Sequence, residues 1–283
     1  MANLKEIRNR IGSVSSTMQI TSAMKMVSAA KLKKAQDAIT AMRPYSNKLT
    51  QMLVNLSSSI DFENIYLKPR KAENLLVVCI TSNRGLCGAF NSNIIKKCFD
   101  LADNHEGNTS FFCIGKKGAD ILSKNHNVID SNNEIFDELS FEKVSLIAEV
   151  LMKKYTEKEV DSIQIVYNKF KNAATQIVML EQYLPIENTV TENNQKESAD
   201  YIFEPSKIEI ISELIPKSLK TQLFKSIRDS YASEHGARMT AMHKATDNAT
   251  ELRDQLKLTY NKARQAAITN EILEIVGGAE ALN

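Results

Sequence analysis

Residues 4–40 read LKEIRNRIGSVSSTMQITSAMKMVSAAKLKKAQDAIT, where mostly apolar and small residues recur at steps of three and four positions. Such steps form the seam of a coiled coil, where one helix face packs against a partner helix. No glycine occurs from Ser13 to Arg84, and the only prolines there are Pro44 and Pro69. The pattern predicts an N-terminal helix over residues 1–58, kinked locally at Pro44. The seam positions are Leu4, Ile7, Ile11, Val14, Met18, Thr21, Lys25, Ser28, Leu32, Ala35, Ile39, Met42, Ser46, Leu49, Leu53 and Leu56.

A second seam occupies the other end of the chain. From Lys217 to Val276 there is no proline and one glycine, Gly236, which predicts a C-terminal helix over residues 208–283. A domain inserted between two helices that pair must return the chain to where it entered, so the pair is predicted to be antiparallel. The second seam consists of Met242, Ala245, Ala249, Leu252, Leu256, Thr259, Ala263 and Ala266.

The middle of the chain has a different pattern. Apolar runs at residues 75–81, 111–114, 163–167 and 176–184 alternate with helix-like stretches such as 93–102 and 141–155. Alternation of strand and helix predicts a mostly parallel sheet with covering helices. The fold class is therefore α/β: a Rossmann-like domain, residues 72–200, inserted into a long antiparallel coiled coil. Residues 187–198, rich in Asn, Thr, Glu and Lys, are predicted to be a flexible loop.

The two predicted helices differ in length. At about 1.5 Å per residue, the first spans about 80 Å and the last about 110 Å, so the C-terminal helix should overhang by several turns. The overhang carries Ile268, Ile272, Ile275 and Leu282 at helical spacing. An apolar stripe without an internal partner predicts an external one.

Composition excludes several classes of protein. The chain has 36 Lys+Arg against 34 Asp+Glu, a balance that gives no charge-based reason for a nucleic-acid partner. The longest apolar run is the six residues 75–80, far below the length that spans a bilayer. The four cysteines have neither a CxxC pair nor a histidine at zinc-finger spacing, and we expect buried, reduced thiols.

Three segments resemble the γ subunits of F-type ATP synthases: residues 7–32, residues 82–91 (SNRGLCGAFN), and residues 233–282, which read SEHGARMTAMHKATDNATELRDQLKLTYNKARQAAITNEILEIVGGAEAL. The resemblance implies a rotor shaft whose tip lies in a ring of alternating α and β subunits. It also implies a base on the membrane c-ring with the ε subunit. Catalysis then belongs to other chains, and this one needs no cofactor. It would associate with a membrane only through the complex. Because no basic-then-apolar leader precedes Leu4, we expect the cytoplasmic face of a bacterial inner membrane, with the mature form of an organellar chain as the alternative.

The resemblance also assigns partner contacts. Arg264, Gln265 and Thr269, with Arg238 further down, match positions that meet polar loops of the β subunits. Ile268, Ile272 and Ile275 match the tip in its bearing. Without the resemblance, each of the four polar residues, Arg238, Arg264, Gln265 and Thr269, would be interpreted as a solvated helix residue or as half of an intrahelical pair.

Two further sets are assigned in the same way. Met24, Lys25 and Met26 match the stretch that faces the lever regions of the β subunits, with a helix that has merely lost one layer of core as the alternative. A segment at the c-ring and ε foot is matched by Tyr201, Phe203 and Glu204 before Pro205, where aromatics beside a carboxylate could equally mark a strand end.

Two departures from the family stand out. Gly236 replaces the usual alanine, and Asn83 replaces the usual aspartate, which puts a charged contact at that turn in doubt.

Competing functions lack their signatures. The sequence at 115–118, GKKG, lacks the upstream glycine and the Ser/Thr of a P-loop, and residues 84–88 lack a GxGxxG pattern. A nucleotide hydrolase would bind ATP as an isolated chain, and a coiled-coil scaffold would self-associate without a three-fold partner. Neither explains the match over residues 233–282.

Overall fold

A computed structural model describes residues 4–57, 65–67, 70–71, 73–186 and 206–280. The Cα positions divide the chain into two compact units, Ala29–Arg238 and Met1–Ser28 with Met239–Asn283. The predicted loop at residues 187–198 lies outside the described residues. The elements, in order, are α1 (Leu4–Ser57), β1 (Asn74–Ile80), α2 (Phe90–Asn104), β2 (Asn108–Ile114), α3 (Lys116–Leu122), β3 (Asn127–Asn132), a 3-10 turn (Glu134–Phe136), α4 (Phe141–Thr156), β4 (Ser162–Phe170), β5 (Gln176–Leu184) and α5 (Lys207–Glu280).

The larger unit is built on one five-stranded sheet in the order β3-β2-β1-β4-β5. The first four strands are parallel, and β5 returns antiparallel to β4 through a short hairpin. The predicted α/β class and mostly parallel sheet are confirmed.

Helices cover both faces of this sheet, which explains the uninterrupted apolar run of β1. Leu76, Val78 and Ile80 face α4 and α5, and Leu75, Val77 and Cys79 face α2 and α3. The face that α5 lays on the sheet steps by four residues. It consists of Ile211, Ile215, Leu219, Leu223 and Ile227.

One strand was not predicted from the sequence. β3 reads NVIDSN, lies at the edge of the sheet, and leaves all six of its side chains exposed or half-exposed. Its pairing with β2 shifts register between Phe111 and Phe112. Edge strands need little burial, so the apolar signal that identifies central strands is weak there.

The smaller unit pairs the start of α1 with the second part of α5. The Oγ1 atoms of Thr21 and Thr246 are 2.8 Å apart, and Thr250 Oγ1 donates to Met18 Sδ at 3.3 Å. Residue numbers fall along one helix as they rise along the other, which confirms the antiparallel pairing. In the described part of the chain, no helix is both long and apolar enough to cross a membrane.

Candidate functional site

Within the smaller unit, α5 extends beyond the first described residue of α1. Because Thr21 lies against Thr246, Leu4 lies level with about residue 263. α5 continues to Glu280, which at 1.5 Å per residue is about 25 Å further. This projecting part of α5 has no described helix of its own unit beside it.

The projecting part carries the predicted apolar stripe, apart from Leu282, which lies outside the described residues. Ile268, Ile272 and Ile275 are 48%, 55% and 72% exposed, and Leu273 and Val276 are also exposed. Burying a side chain of this size contributes about 1.5–3 kcal/mol relative to leaving it in water. The stripe is therefore available to a partner of complementary apolar shape.

Polar side chains lie just before the stripe. Arg264, Gln265 and Thr269 are exposed, as a contact role requires. Thr269 Oγ1 donates to the carbonyl of Gln265 at 2.9 Å, which holds that hydroxyl against its own helix. The structure brings all three residues to one stretch of α5, and their role stays a prediction.

On α1, the polar interruption of the seam is partly packed. Thr21 and Ser28 are buried, Met24 and Lys25 are half-buried, and Met26 is 65% exposed. Small hydroxyl residues thus continue the seam on either side of residues 24–26. Met26 is the member of this group that is most available to a second protein.

Arg238 is placed differently from the other predicted contacts, because it is only 7% exposed. Its Nη1 donates to Glu234 Oε1 at 2.6 Å, and its Nη2 donates to the carbonyl oxygens of Arg84 and Gly85 at 2.9 and 3.3 Å. Burial raises the pKa of the Glu234 carboxyl, and the neighbouring Arg238 acts in the opposite direction. The predicted contact of Arg238 with a β subunit stays a prediction, but its guanidinium is engaged within the chain.

The turn that Arg238 holds follows β1. Leu86 has a φ of 62° and is 65% exposed, although a bulky residue rarely adopts the left-handed region. Ser82 N donates to Asn91 Oδ1 at 3.0 Å, and Ser82 Oγ donates to the carbonyl of Arg84 at 2.7 Å. The result is a turn fixed from inside while its tip faces solvent.

Asn83 has a use that an aspartate could not fill. Its Oδ1 accepts from Lys116 N at 3.0 Å, and its Nδ2 donates to the carbonyl of Asn133 at 2.6 Å. A carboxylate could accept the first bond but could not donate the second. The departure at this position therefore ties the turn to the residues that follow β3.

The crevice where such a sheet would bind a ligand is occupied by the chain itself. Doubly wound sheets bind ligands where the strand order reverses, here between the carboxyl ends of β1 and β4. The Glu234–Arg238 pair packs on the turn after β1, and a Cβ on Gly236 would lie 3.2 Å from Ala173 Cα, in the turn after β4. The glycine thus permits a close approach of α5 that a larger side chain would hinder.

Other candidate sites in the larger unit are structural. A Cβ on Gly115 would overlap the carbonyl oxygen of Thr81, and Gly118 N donates to Thr81 Oγ1 at 2.8 Å, so GKKG is a tight strand-to-helix turn. The four cysteines are free and buried, as predicted. No group of three or more potential metal ligands occurs among the described residues. Tyr201, Phe203 and Glu204 lie outside the described ranges, and their assignment to the foot stays a prediction.

Comparisons with known proteins cover the whole chain. The sequence profile described as "ATP synthase" matches residues 3–282. The ATP synthase gamma chain of Flavobacterium johnsoniae is 68% identical, with 100% of both chains covered. The ATP synthase gamma chain of Christiangramia forsetii is 64% identical over 100% of both chains.

Solved structures give the same fold. A chain in the Tetrahymena thermophila mitochondrial ATP synthase central stalk and c-ring aligns with a TM-score of 0.62 and 26% identity, covering 80% of this chain and 99% of that one. A chain in the OSCP/F1/c-ring assembly of Euglena gracilis mitochondrial ATP synthase aligns with a TM-score of 0.74 and 24% identity, covering 99% and 94%.

Proposed function

This chain belongs to the ATP synthase γ family, and from that membership we infer that it is the central rotor shaft of an F-type ATP synthase. The observation that carries this function is the 68% identity to a γ chain across the full length of both proteins. The match takes in both long helices, which are proposed to make the partner contacts, as well as the α/β unit between them.

A shaft acts by differential contact. Each β subunit has conformations of different nucleotide affinity, and the face of the shaft presented to it favours one of them. Rotation of the membrane c-ring turns the shaft and moves this preference around the α3β3 ring. The partners are accordingly the α and β subunits, the ε subunit and the c-ring, and the function is ATP synthesis coupled to ion transport.

The projecting end of α5 is the surface proposed to meet the α3β3 ring. Its apolar stripe would lie in the bearing, where its three isoleucines lose water contact without any charge to desolvate. Arg264 and Gln265 carry donors that suit acidic or carbonyl groups of β-subunit loops. Their exposure on the isolated chain supports this assignment.

The chain is proposed to be a non-catalytic subunit. The crevice that would serve an α/β enzyme is filled by the Glu234–Arg238 pair, which supports catalysis on the β subunits instead. We propose a peripheral location on the cytoplasmic face of a bacterial inner membrane, reached through the c-ring. The bacterial origin of the two γ chains reported above supports that placement.

Reconstitution tests the function. Purified α and β subunits would be mixed with the full chain, and the complex would be isolated through a tag on the chain. We expect one chain per three α and three β subunits and an increase in steady-state ATP hydrolysis over α and β alone. A chain that is recovered without α and β, or ATP binding by the chain by itself, would contradict the proposal.

A further inference from the structure

We propose that Arg238 is a positioning residue, which holds the turn of residues 82–88 in a fixed conformation and affects coupling through that turn. This inference rests on the proposed function for its consequence in the complex. The role in the isolated chain follows from geometry alone.

Arg238 makes the bonds that such a role requires. Its Nη2 reaches the carbonyls of both Arg84 and Gly85, and its Nε lies 3.4 Å from the second of these. Its Nη1 is paired with Glu234, one helical turn earlier, so the buried guanidinium charge is compensated. The planar guanidinium thus donates to two consecutive carbonyls of the turn, which the single ammonium group of a lysine could not do with the same geometry.

The turn needs such support because its backbone is strained. Leu86 adopts a positive φ that leucine disfavours, and its side chain is exposed and gains little from packing. If Arg238 were replaced, the carbonyls of Arg84 and Gly85 in the turn would lose their charge-assisted donors. The strained conformation would then be free to relax.

Exposure separates a positioning role from a direct contact. Arg84 and Leu86 are exposed, whereas Arg238 and Glu234 are each 7% exposed. A protein that approaches this surface therefore meets the turn first. Arg238 influences it by fixing where the turn lies.

Cys87 provides a natural reporter of the turn. It is 2% exposed, and Asn91 Nδ2 lies 3.3 Å from its Sγ. Cys79, Cys98 and Cys113 are fully buried in the sheet core, so they react only when the domain opens. Burial raises the pKa of the Cys87 thiol and the charge of Arg238 lowers it, so removing that charge would by itself slow alkylation. Faster labelling of Cys87 must therefore reflect opening of the turn.

The first experiment labels the full chain with N-ethylmaleimide and follows each cysteine by peptide mass spectrometry. Arg238→Lys and Arg238→Gln are compared with Arg228→Lys, a control in the same helix whose Nη2 bonds the Leu139 carbonyl at 2.9 Å. We expect labelling of Cys87 to rise about tenfold or more in both Arg238 variants and to stay unchanged in the control. The other three cysteines should keep their wild-type rates. Unchanged labelling of Cys87, or an equal rise at all four cysteines, would overturn the inference.

The second experiment measures ATP hydrolysis coupled to rotation in the reconstituted complex for Arg238→Lys, Leu86→Gly and the double variant. A residue that acts through the turn gives a double variant little worse than Leu86→Gly alone. Losses that multiply would overturn the positioning role in favour of a separate contact. If the wild-type chain fails to support coupled hydrolysis, the proposed function fails, while the labelling result still decides how Arg238 acts within the chain.

Discussion

The side-chain oxygens of Thr21 and Thr246 lie 2.8 Å apart in the seam between α1 and α5. Thr21 is 8% exposed, so this is a largely buried polar contact in the seam. Such contacts favour one register of two paired helices, because a shift leaves hydroxyls opposite apolar groups. The register in turn decides how far α5 projects beyond the start of α1.

Replacing Thr21 with valine should therefore destabilise the helix pair. The hydroxyl of Thr246 would lose its partner across the seam but keep its bond to the Met242 carbonyl at 2.8 Å. The cost should therefore be about 0.5–1.5 kcal/mol in the free energy of unfolding. Urea unfolding followed by circular dichroism measures the change. The double variant Thr21→Val with Thr246→Val should cost less than the two single changes added together. Additive costs would show that the two hydroxyls do not interact.

Removing the apolar stripe should weaken assembly without unfolding the α/β unit. Serine at Ile268, Ile272 and Ile275 together should increase dissociation of the chain from α and β subunits, since each isoleucine loses its apolar burial. Size-exclusion chromatography of the diluted complex measures retention. Asn270→Ser, an exposed change within the same stretch, serves as the control. Equal retention of the triple variant and wild type would contradict the proposal that the stripe lies in the bearing.

Alanine at Arg264 or Gln265 should lower coupled ATP hydrolysis. Each change removes exposed donors that we assign to β-subunit loops. Loss of the charged donors of Arg264 should cost about 2 kcal/mol or more, and loss of the neutral donors of Gln265 about 1 kcal/mol. Turnover of the reconstituted complex measures the effect. Asn270→Ala is the matched control, because Asn270 is also exposed but lies about 120° or more around the helix from both residues. A loss in the control as large as in the two variants would mean that any change at this level of α5 disturbs assembly.

At Gly236, alanine and isoleucine should behave differently. Alanine gains about 1 kcal/mol of helix propensity, but its Cβ would lie 3.2 Å from Ala173 Cα and 3.3 Å from the Ala173 carbonyl oxygen. We expect the two effects to cancel nearly for alanine. Isoleucine should cost about 1–3 kcal/mol through overpacking. Urea unfolding measures both.

The control for that comparison is Gly12→Ala in α1, where no atom beyond the adjoining helix backbone lies within 4 Å of the new Cβ. There the propensity gain should appear without the opposing term. If Gly236→Ala also stabilised the protein by the full helix-propensity gain, the hairpin at Ala173 must move aside without a measurable cost.

Stability should fall with acidity through His235. Burial lowers the pKa of its imidazole to about 3, and the charges of Arg238 and Lys31 act in the same direction. Between about pH 6.5 and pH 3, His235 binds a proton in the unfolded chain but not in the folded chain. The free energy of unfolding therefore decreases as pH falls. His235→Phe, which keeps an aromatic ring against Tyr231, should remove about 2 kcal/mol of the loss between pH 7 and pH 5.

Urea unfolding at a series of pH values measures this difference. His243→Phe is the comparison variant, because it removes a histidine whose side chain is 56% exposed. The change caused by His235→Phe should exceed the change caused by His243→Phe. The same slope in the His235 variant as in wild type would contradict a neutral, buried imidazole.

Periodicity predicted the elements in which one signal dominates. The two long helices follow from seams that persist over many turns, and β1 follows from an unbroken apolar run buried on both faces. The strand β3 was not predicted, because an edge strand without buried side chains carries no such apolar signal. That the first part of α5 covers the sheet was also missed, since a stripe at spacing of four does not say whether a helix or a sheet lies against it.

The candidate site was predictable only in part. Exposure of Arg264, Gln265 and Thr269 agrees with what the resemblance implies for one helix. Arg238 depends instead on a turn about 150 residues earlier in the chain, and no local pattern reports such a contact. The one available hint was the charge pair at 234 and 238, spaced for an ion pair on one helix face.

We propose that this chain turns within the α3β3 ring as ATP is hydrolysed. A bead attached to the α/β unit of the reconstituted complex, with the β subunits fixed to a surface, reports rotation in single-molecule recordings. We expect rotation in one direction in three equal steps per turn, at a rate that follows ATP concentration. A bead that stays fixed while the same complexes hydrolyse ATP would contradict it.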